Sequence, residues 1–164
     1  PATLKDGATL VIRPIRPEDA RMELDFVAGL SDQSRYLRFF NPTQTLSPKM
    51  LARLTQVDYD HELALVAVQS DGTDRIVGVA RYVTLPDAHS CEFAVTVADR
   101  WQNRGLGYAL MARLIEAARE AGFARMDGQV LTINAGMLQL AHALGFEAKL
   151  SRDEPTVMDV SLKL

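Results

Sequence analysis

The chain has 164 residues, 48% apolar and 24% charged, and carries a net charge of -3. That is one domain's worth of chain, able to bury a real core, and the negative balance argues against a nucleic-acid binder. A single cysteine excludes an internal disulfide and makes a reducing cytoplasm the default. The absence of a long unbroken apolar run and of a signal peptide argues against a membrane protein. The start at Pro1-Ala2-Thr3, without Met, fits a processed protein or a domain cut from a longer chain.

Thr9 to Ile15 alternates and is rich in β-branched residues, which predicts a strand. Pro17 suits a first helical turn, and Glu18 and Asp19 suit its dipole, so a helix is expected to carry Met22, Leu24, Phe26, Val27 and Leu30. Ser31-Asp32 can cap a second short helix through Leu37, Phe39 and Phe40, which Asn41-Pro42 breaks. Ser47-Pro48 opens a third, with Met50, Leu51, Leu54 and Val57 at helical spacing.

From Glu62 the pattern turns to strands: Leu63 to Val68, a turn at Asp71-Gly72, Ile76 to Val83, a stop at Leu85-Pro86-Asp87, and Cys91 to Val97. A loop and a long helix follow, with Leu106, Leu110, Leu114 and Ala117 on one stripe and Gly122 as its terminating glycine. Met126 to Leu131 reads as a strand and Ala135 to Leu144 as a helix stopped by Gly145. Phe146 to Leu150 and Val157 to Leu162 read as the last strands. This order implies a mixed α/β layer fold, largely antiparallel, with one βαβ crossover.

The loop Gln102-Asn103-Arg104-Gly105-Leu106-Gly107-Tyr108 opens directly into the long helix. Glycines let backbone approach closely, and the first helical turn offers unpartnered N–H groups and positive potential, so a phosphate or pyrophosphate is the natural guest. A P-loop would need Gly-Lys-Ser or Gly-Lys-Thr, which the loop lacks. A Rossmann unit finds an acid, Asp127, about 20 residues beyond the glycines. Against it, Ala98 to Arg104 intervene after the strand, Leu110 holds the place of the third glycine, and the acid sits near the start of its strand.

Gln102-x-x-Gly105-x-Gly107 resembles the pyrophosphate motif of the GNAT superfamily of N-acetyltransferases. The likeness extends to the preceding strand, to Asn134 after the next strand, and to a short helix running into Leu144-Gly145-Phe146. Glu92-Phe93-Ala94-Val95, the glycine loop and Gly136-Met137 look, more narrowly, like the GNAT domain of bacterial Pat-type protein lysine acetyltransferases. In those the domain is usually fused to an acyl-CoA-synthetase-like region. The resemblance implies a single GNAT-fold domain over residues 1–164, acetyl-CoA as donor, no metal, and a protein lysine as acceptor, commonly on an acyl-CoA synthetase.

A lysine amine, with a pKa of about 10.4, must lose a proton before it can attack. Strand alternation puts Cys91, Phe93, Val95 and Val97 on one face, which reads as core, and Glu92, Ala94 and Thr96 on the other. Glu92 is the candidate base, and the resembling group carries its catalytic glutamate at this position. The family further implies that Val95, Thr96 and Val97 pair with the pantetheine arm like an added strand. It implies that the loop from Gln102 through Asn103, Arg104, Gly105, Leu106 and Gly107 to Tyr108 holds the pyrophosphate, and that Asn134 bonds the pantetheine while it caps its helix. Arg100 and Arg104 are candidates for added phosphate charge.

The family's usual general-acid tyrosine falls at Ala141, so the thiolate leaves unassisted, through water, or with help from another residue. Cys91 as a nucleophile is weaker than Cys91 as a buried small hydrophobe. His61, His89 and His142 lack metal-ligand spacing. Trp101 is expected to pack beneath the loop. Arg35, Arg38, Lys49 and Arg53 are expected to face water ahead of an acidic partner, and Asp58, Asp60 and Glu62 to face solvent or attract a lysine substrate. The competing readings are a GNAT acting on a small amine and a non-catalytic acyl-CoA sensor.

Overall fold

The computed structural model describes residues 2–3, 9–39, 47–71 and 73–164. Phe40, the break at Asn41-Pro42, Gly72 and the Arg35 side chain lie outside them. The described strands are β1 (Ala2–Thr3), β2 (Thr9–Pro14), β3 (Glu62–Asp71), β4 (Thr73–Thr84), β5 (Ser90–Val97), β6 (Arg125–Leu131), β7 (Glu147–Leu150) and β8 (Val157–Lys163). The helices are α1 (Ala20–Ala28), α2 (Asp32–Phe39), α3 (Pro48–Thr55), α4 (Leu106–Glu120) and α5 (Ala135–Ala143), with 3-10 turns at Pro17–Asp19 and Asp99–Trp101. The sheet runs β1-β2-β3-β4-β5-β6-β8-β7. Among the described strands every neighbouring pair is antiparallel except β5 and β6, which α4 connects as a parallel crossover.

Most expected elements are present, with differences at their edges. The β3–β4 hairpin pairs from Glu62↔Val83 to Asp71↔Thr73, longer than its apolar centre suggests, because ladder hydrogen bonds continue through the polar ends. The tiny β1 and the Asp99–Trp101 turn have no periodicity to announce them. On α4 the buried stripe is Leu106, Leu110, Met111, Leu114, Ile115 and Ala118. The expected Ala117 is only partly buried: the stripe turns with the 3.6-residue period, so its last covered position is one residue later.

The two faces of the sheet are built differently. One is covered by α4 and α5 over an apolar cluster that includes Cys91, Phe93, Met126 and Val160. The other is covered by α1, whose Phe26, Val27 and Leu30 meet Ala64, Val66, Ile76 and Val79. Charge is buried at this second face. Arg13 donates to both oxygens of Asp19 at 2.7 and 2.8 Å. Arg81 donates to the Leu54 carbonyl at 3.0 Å and faces Glu23 Oε1 at 3.5 Å, while Glu23 Oε2 has no hydrogen-bond partner among the described residues. Burial pushes the Glu23 carboxyl up, against the pull of Arg81 and Arg38.

One feature of the sheet positions everything that follows. β5 and β6 pair over three positions only, Ser90↔Arg125, Cys91↔Met126 and Glu92↔Asp127, whereas β5 stays paired to β4 as far as Val97↔Gly78. The next pair in register would be Phe93 with Gly128. Instead the Phe93 ring covers Gly128, where a Cβ would stand 2.3 Å from Phe93 Cε1, and meets Phe146 edge to face at 5.2 Å. Beyond Glu92 the strands part, and β5 from Phe93 to Val97 keeps one edge without a strand neighbour.

Candidate active site

Two cavities lie along β5. The larger, about 480 Å³, is lined by Val95, Thr96 and Val97 of the open edge, by the loop and first turn of α4, and by the start of α5. The smaller, about 180 Å³, is lined by Glu92, Phe93 and Gln129 among others. Leu37, Arg38, Val95, Asn134 and Met137 line both, so they mark the junction.

The loop's geometry follows from its residues. Gly105 is the N-cap of α4 at φ 90°, a left-handed conformation that a Cβ would strain, and no side chain caps this helix. Asn103 also has positive φ, 61°, which asparagine tolerates better than most residues. Ala109 N–H donates to the Gly105 carbonyl at 3.1 Å, closing the first turn, so the amides ahead of it have no partner within the helix. A Cβ on Gly107 would stand 3.2 Å from Leu140, filling the space between α4 and α5. A bare, uncapped helix start facing an open cavity fits the pyrophosphate of acetyl-CoA, and the open edge of β5 fits an amide-bearing arm.

The remaining expected residues divide. Asn103, Gly105, Gly107 and Tyr108 line the larger cavity, with Tyr108 49% exposed. Gln102 also lines it, but its side-chain amide donates to the Val97 carbonyl at 3.1 Å and to Ser34 Oγ at 3.2 Å, so it braces the loop against β5 and α2. Leu106 is core, 1% exposed, and leaves only its backbone to the helix start. The Arg104 guanidinium lies 4.0 Å from the ring centre of Trp101, a cation–π contact, and Trp101 is buried beneath the loop. Asn134 Oδ1 accepts from Met137 N–H at 3.2 Å, capping α5, and its residue lines both cavities.

Two contributors carried no signal on their own. Asp99 accepts from Ser31 N–H at 3.1 Å, Ser31 Oγ at 2.8 Å and Ser34 Oγ at 3.1 Å, which ties α2 to the loop. Burial works to raise the Asp99 carboxyl, but these bonds outweigh it and hold the group below its usual range. Ser31-x-x-Ser34 at a helix start was legible, but its acidic partner is 65 residues away from Ser34. The second is Arg38, expected to face water. It lines both cavities, and burial, with Arg81 nearby, lowers it to about 10, still a cation at neutral pH. The helix period alone cannot show that the exposed side of α2 looks into a cleft.

Glu92 lies at the last paired position before the strands part. Partial burial, then the carboxylates of Asp127 and Asp159, raise its carboxyl above the ordinary range. Asp127 is itself held by Arg125 at 2.9 Å and Ser161 at 2.8 Å. Ala141 is 2% exposed and offers no acid. Cys91 is fully buried, and desolvation pushes its thiol up to about 12, which removes it as a nucleophile at neutral pH. No cluster of potential metal ligands occurs among the described residues.

Comparison with known proteins agrees with this geometry. Residues 31–146 match the family model described as Acetyltransferase (GNAT) family. A Pseudomonas aeruginosa protein named as an acetyltransferase is 39% identical over 94% of this chain and 83% of its own. The acetyltransferase Pat of Mycolicibacterium smegmatis is 34% identical over 88% of this chain, which spans 43% of that longer protein. The crystal structure of the GNAT domain of S. lividans PAT superposes with a TM-score of 0.91 at 31% identity, covering 99% of this chain and 95% of that one. A Salmonella typhimurium structure, yncA, titled a putative acetyltransferase with its cofactor acetyl-CoA, shares the fold at 22% identity, a TM-score of 0.75, and 96% and 95% coverage. With an uncapped helix start, a parted pair of strands and these relatives, the chain belongs to the GNAT acetyltransferase family.

Proposed function

We propose that this acetyltransferase carries the acetyl group of acetyl-CoA to the ε-amine of a protein lysine, with Glu92 as general base and without metal. The coenzyme supplies an activated acetyl thioester. The chain's residues do the rest. The amides from Asn103 to Tyr108 hold the pyrophosphate, with Gln102 bracing them. Val95 to Val97 offer a strand edge to the pantetheine, and Asn134 adds a side-chain amide beside it. Glu92 takes the proton from the incoming ammonium, directly or through water.

The observation that carries this reading is the place of Glu92, at the vertex of the parting strands and in the lining of the smaller cavity. A raised carboxyl there is a better base than an ordinary one. The resemblance of the motifs to Pat-type enzymes is what favours a protein acceptor, such as an acyl-CoA synthetase, in a cytoplasmic setting.

The test is release of CoA thiol from acetyl-CoA with a lysine-bearing protein. Glu92→Gln should lower kcat about 10²- to 10⁴-fold while the acetyl-CoA Kd stays the same. The wild-type rate should fall as pH drops through the raised Glu92 pKa, and the variant should lose that acidic limb. Equal rates in both proteins refute the base. Turnover with small amines alone refutes the lysine acceptor, and coenzyme binding without turnover in either protein supports a sensor.

A further inference from the structure

We propose that Arg38 supplies the positive charge that receives the leaving thiolate, the task for which Ala141 offers no group. The inference rests on the coenzyme part of the reading above and not on the lysine acceptor.

The two cavities divide the work. The larger holds the uncapped helix start at the loop, and the smaller holds Glu92. An acyl group delivered from the first to a base in the second must react where they meet. Arg38 lines both. Among the described residues lining these cavities, Arg38 is the one cation and Glu92 the one anion.

Charged groups of two elements act on Arg38. Glu23 of α1 stabilises its charge, whereas Arg81 of β4 opposes it. Glu92 of β5 shares the smaller cavity with it. Glu23 and Arg81 are themselves buried and face each other at 3.5 Å. Asp99 ties the start of the same helix to the loop through Ser31 and Ser34. A desolvated cation whose helix is tied down in this way is preorganised for charge that appears during reaction.

The amine nitrogen forms a C–N bond to the acetyl carbon, and the C–S bond breaks with its electron pair on sulfur. One ammonium proton goes to Glu92 before attack, and the second leaves the nitrogen for water as the amide forms. Arg38, at about 10, lies above a thiol of about 8.5, so it keeps its proton and acts through charge alone. Sulfur then takes its proton from water.

The experiment reads the thiol as well as turnover. CoA is bound to the full chain, and thiolate formation is followed by its ultraviolet absorbance against pH. Desulfo-CoA serves as the sulfur-free probe, and circular dichroism verifies folding. In the wild type the bound thiol should titrate about one unit below free CoA, which is about tenfold tighter thiolate binding. Arg38→Met should abolish that shift, leave desulfo-CoA affinity unchanged and lower kcat about 10- to 100-fold. Arg38→Lys should restore most of the thiol shift.

Three results would overturn the proposal: an unshifted thiol in the wild type, equal loss of CoA and desulfo-CoA binding in Arg38→Met, or a rise confined to acceptor KM. A lysine variant indistinguishable from the methionine one would do the same. A wild-type protein that binds neither CoA nor desulfo-CoA would defeat the coenzyme reading itself, which separates the two failures.

Discussion

The two coverings of the sheet solve the same problem by different means. Over α4 and α5 the buried residues are apolar: Leu106, Leu110, Met111 and Leu114 are each at most 1% exposed. Under α1 to α3 the covering buries Asp19, Glu23, Ser34 and Thr55 as well. Apolar area stabilises the first without much regard to detail. The second depends on named partners, because a buried polar group left unpaired costs more than its pairing contributes. The difference shows how the work is divided: the apolar side presents a rigid helix start, and the polar side presents charges at the cleft.

Four measurements break or sharpen this contrast. The largest effect belongs to the acid where the two sides meet, the loss of about 10²- to 10⁴-fold in kcat for Glu92→Gln, seen in thiol release without loss of acetyl-CoA binding. On the apolar side, Leu110→Ala should cost about 2–5 kcal/mol of stability, read from the urea midpoint, because the deleted atoms leave a cavity. On the polar side, Asp19→Ala should cost about 3 kcal/mol in the same assay, since it strands Arg13 beside a carboxylate's vacated place. A cost below that of an exposed pair, about 1 kcal/mol or less, would show the two coverings to be alike.

The third prediction concerns acid. The hydrogen bond from Arg13, working against burial, holds the Asp19 carboxyl below its usual range. Its stabilisation is therefore present above the unfolded carboxyl pKa, about 3.9, and is lost as pH falls through the lower folded value. Glu23, raised by burial, has the opposite sign: its ionised form opposes folding, and that penalty fades as pH falls through its raised value. Urea midpoints of Asp19→Asn should thus fall less steeply in acid than those of the wild type. The smallest effect is at Cys91, whose thiol should resist a disulfide reagent at neutral pH until the chain unfolds, because it is buried and displaced to about 12.

How much was legible in the chain follows the same division. The apolar side could be read because its signals are local: the period of α4, Gly122 and Gly145 at positive φ, and a loop that opens straight into a helix. The Ser47 and Asn134 caps were equally local, each accepting from an amide three residues on. The parity that set Glu92 apart from Cys91 and Phe93 agrees with their burial, with Glu92 exposed and the other two in the core. The parting of β5 from β6 was not legible, because it depends on Phe93 meeting Gly128 across strands 35 positions apart. Nor was Arg38, whose neighbours Glu23 and Arg81 arrive from α1 and β4. A charged residue on a short helix looks solvated until the partners that enclose it are in place.

The open edge of β5 also bears on how long the enzyme survives. Between Phe93 and Val97 every second residue turns its main-chain groups to the cleft, without a neighbouring strand among the described residues, and such a row is where sheets are prone to capture foreign chains. On the reading proposed above, the coenzyme occupies that row, so nucleotide supply and protein durability become linked. At 100 times its Kd a ligand adds about 2.7 kcal/mol to folding. Amide hydrogen exchange should slow most at the cleft-facing amides of this stretch, which makes the enzyme's own turnover a gauge of acyl-CoA abundance.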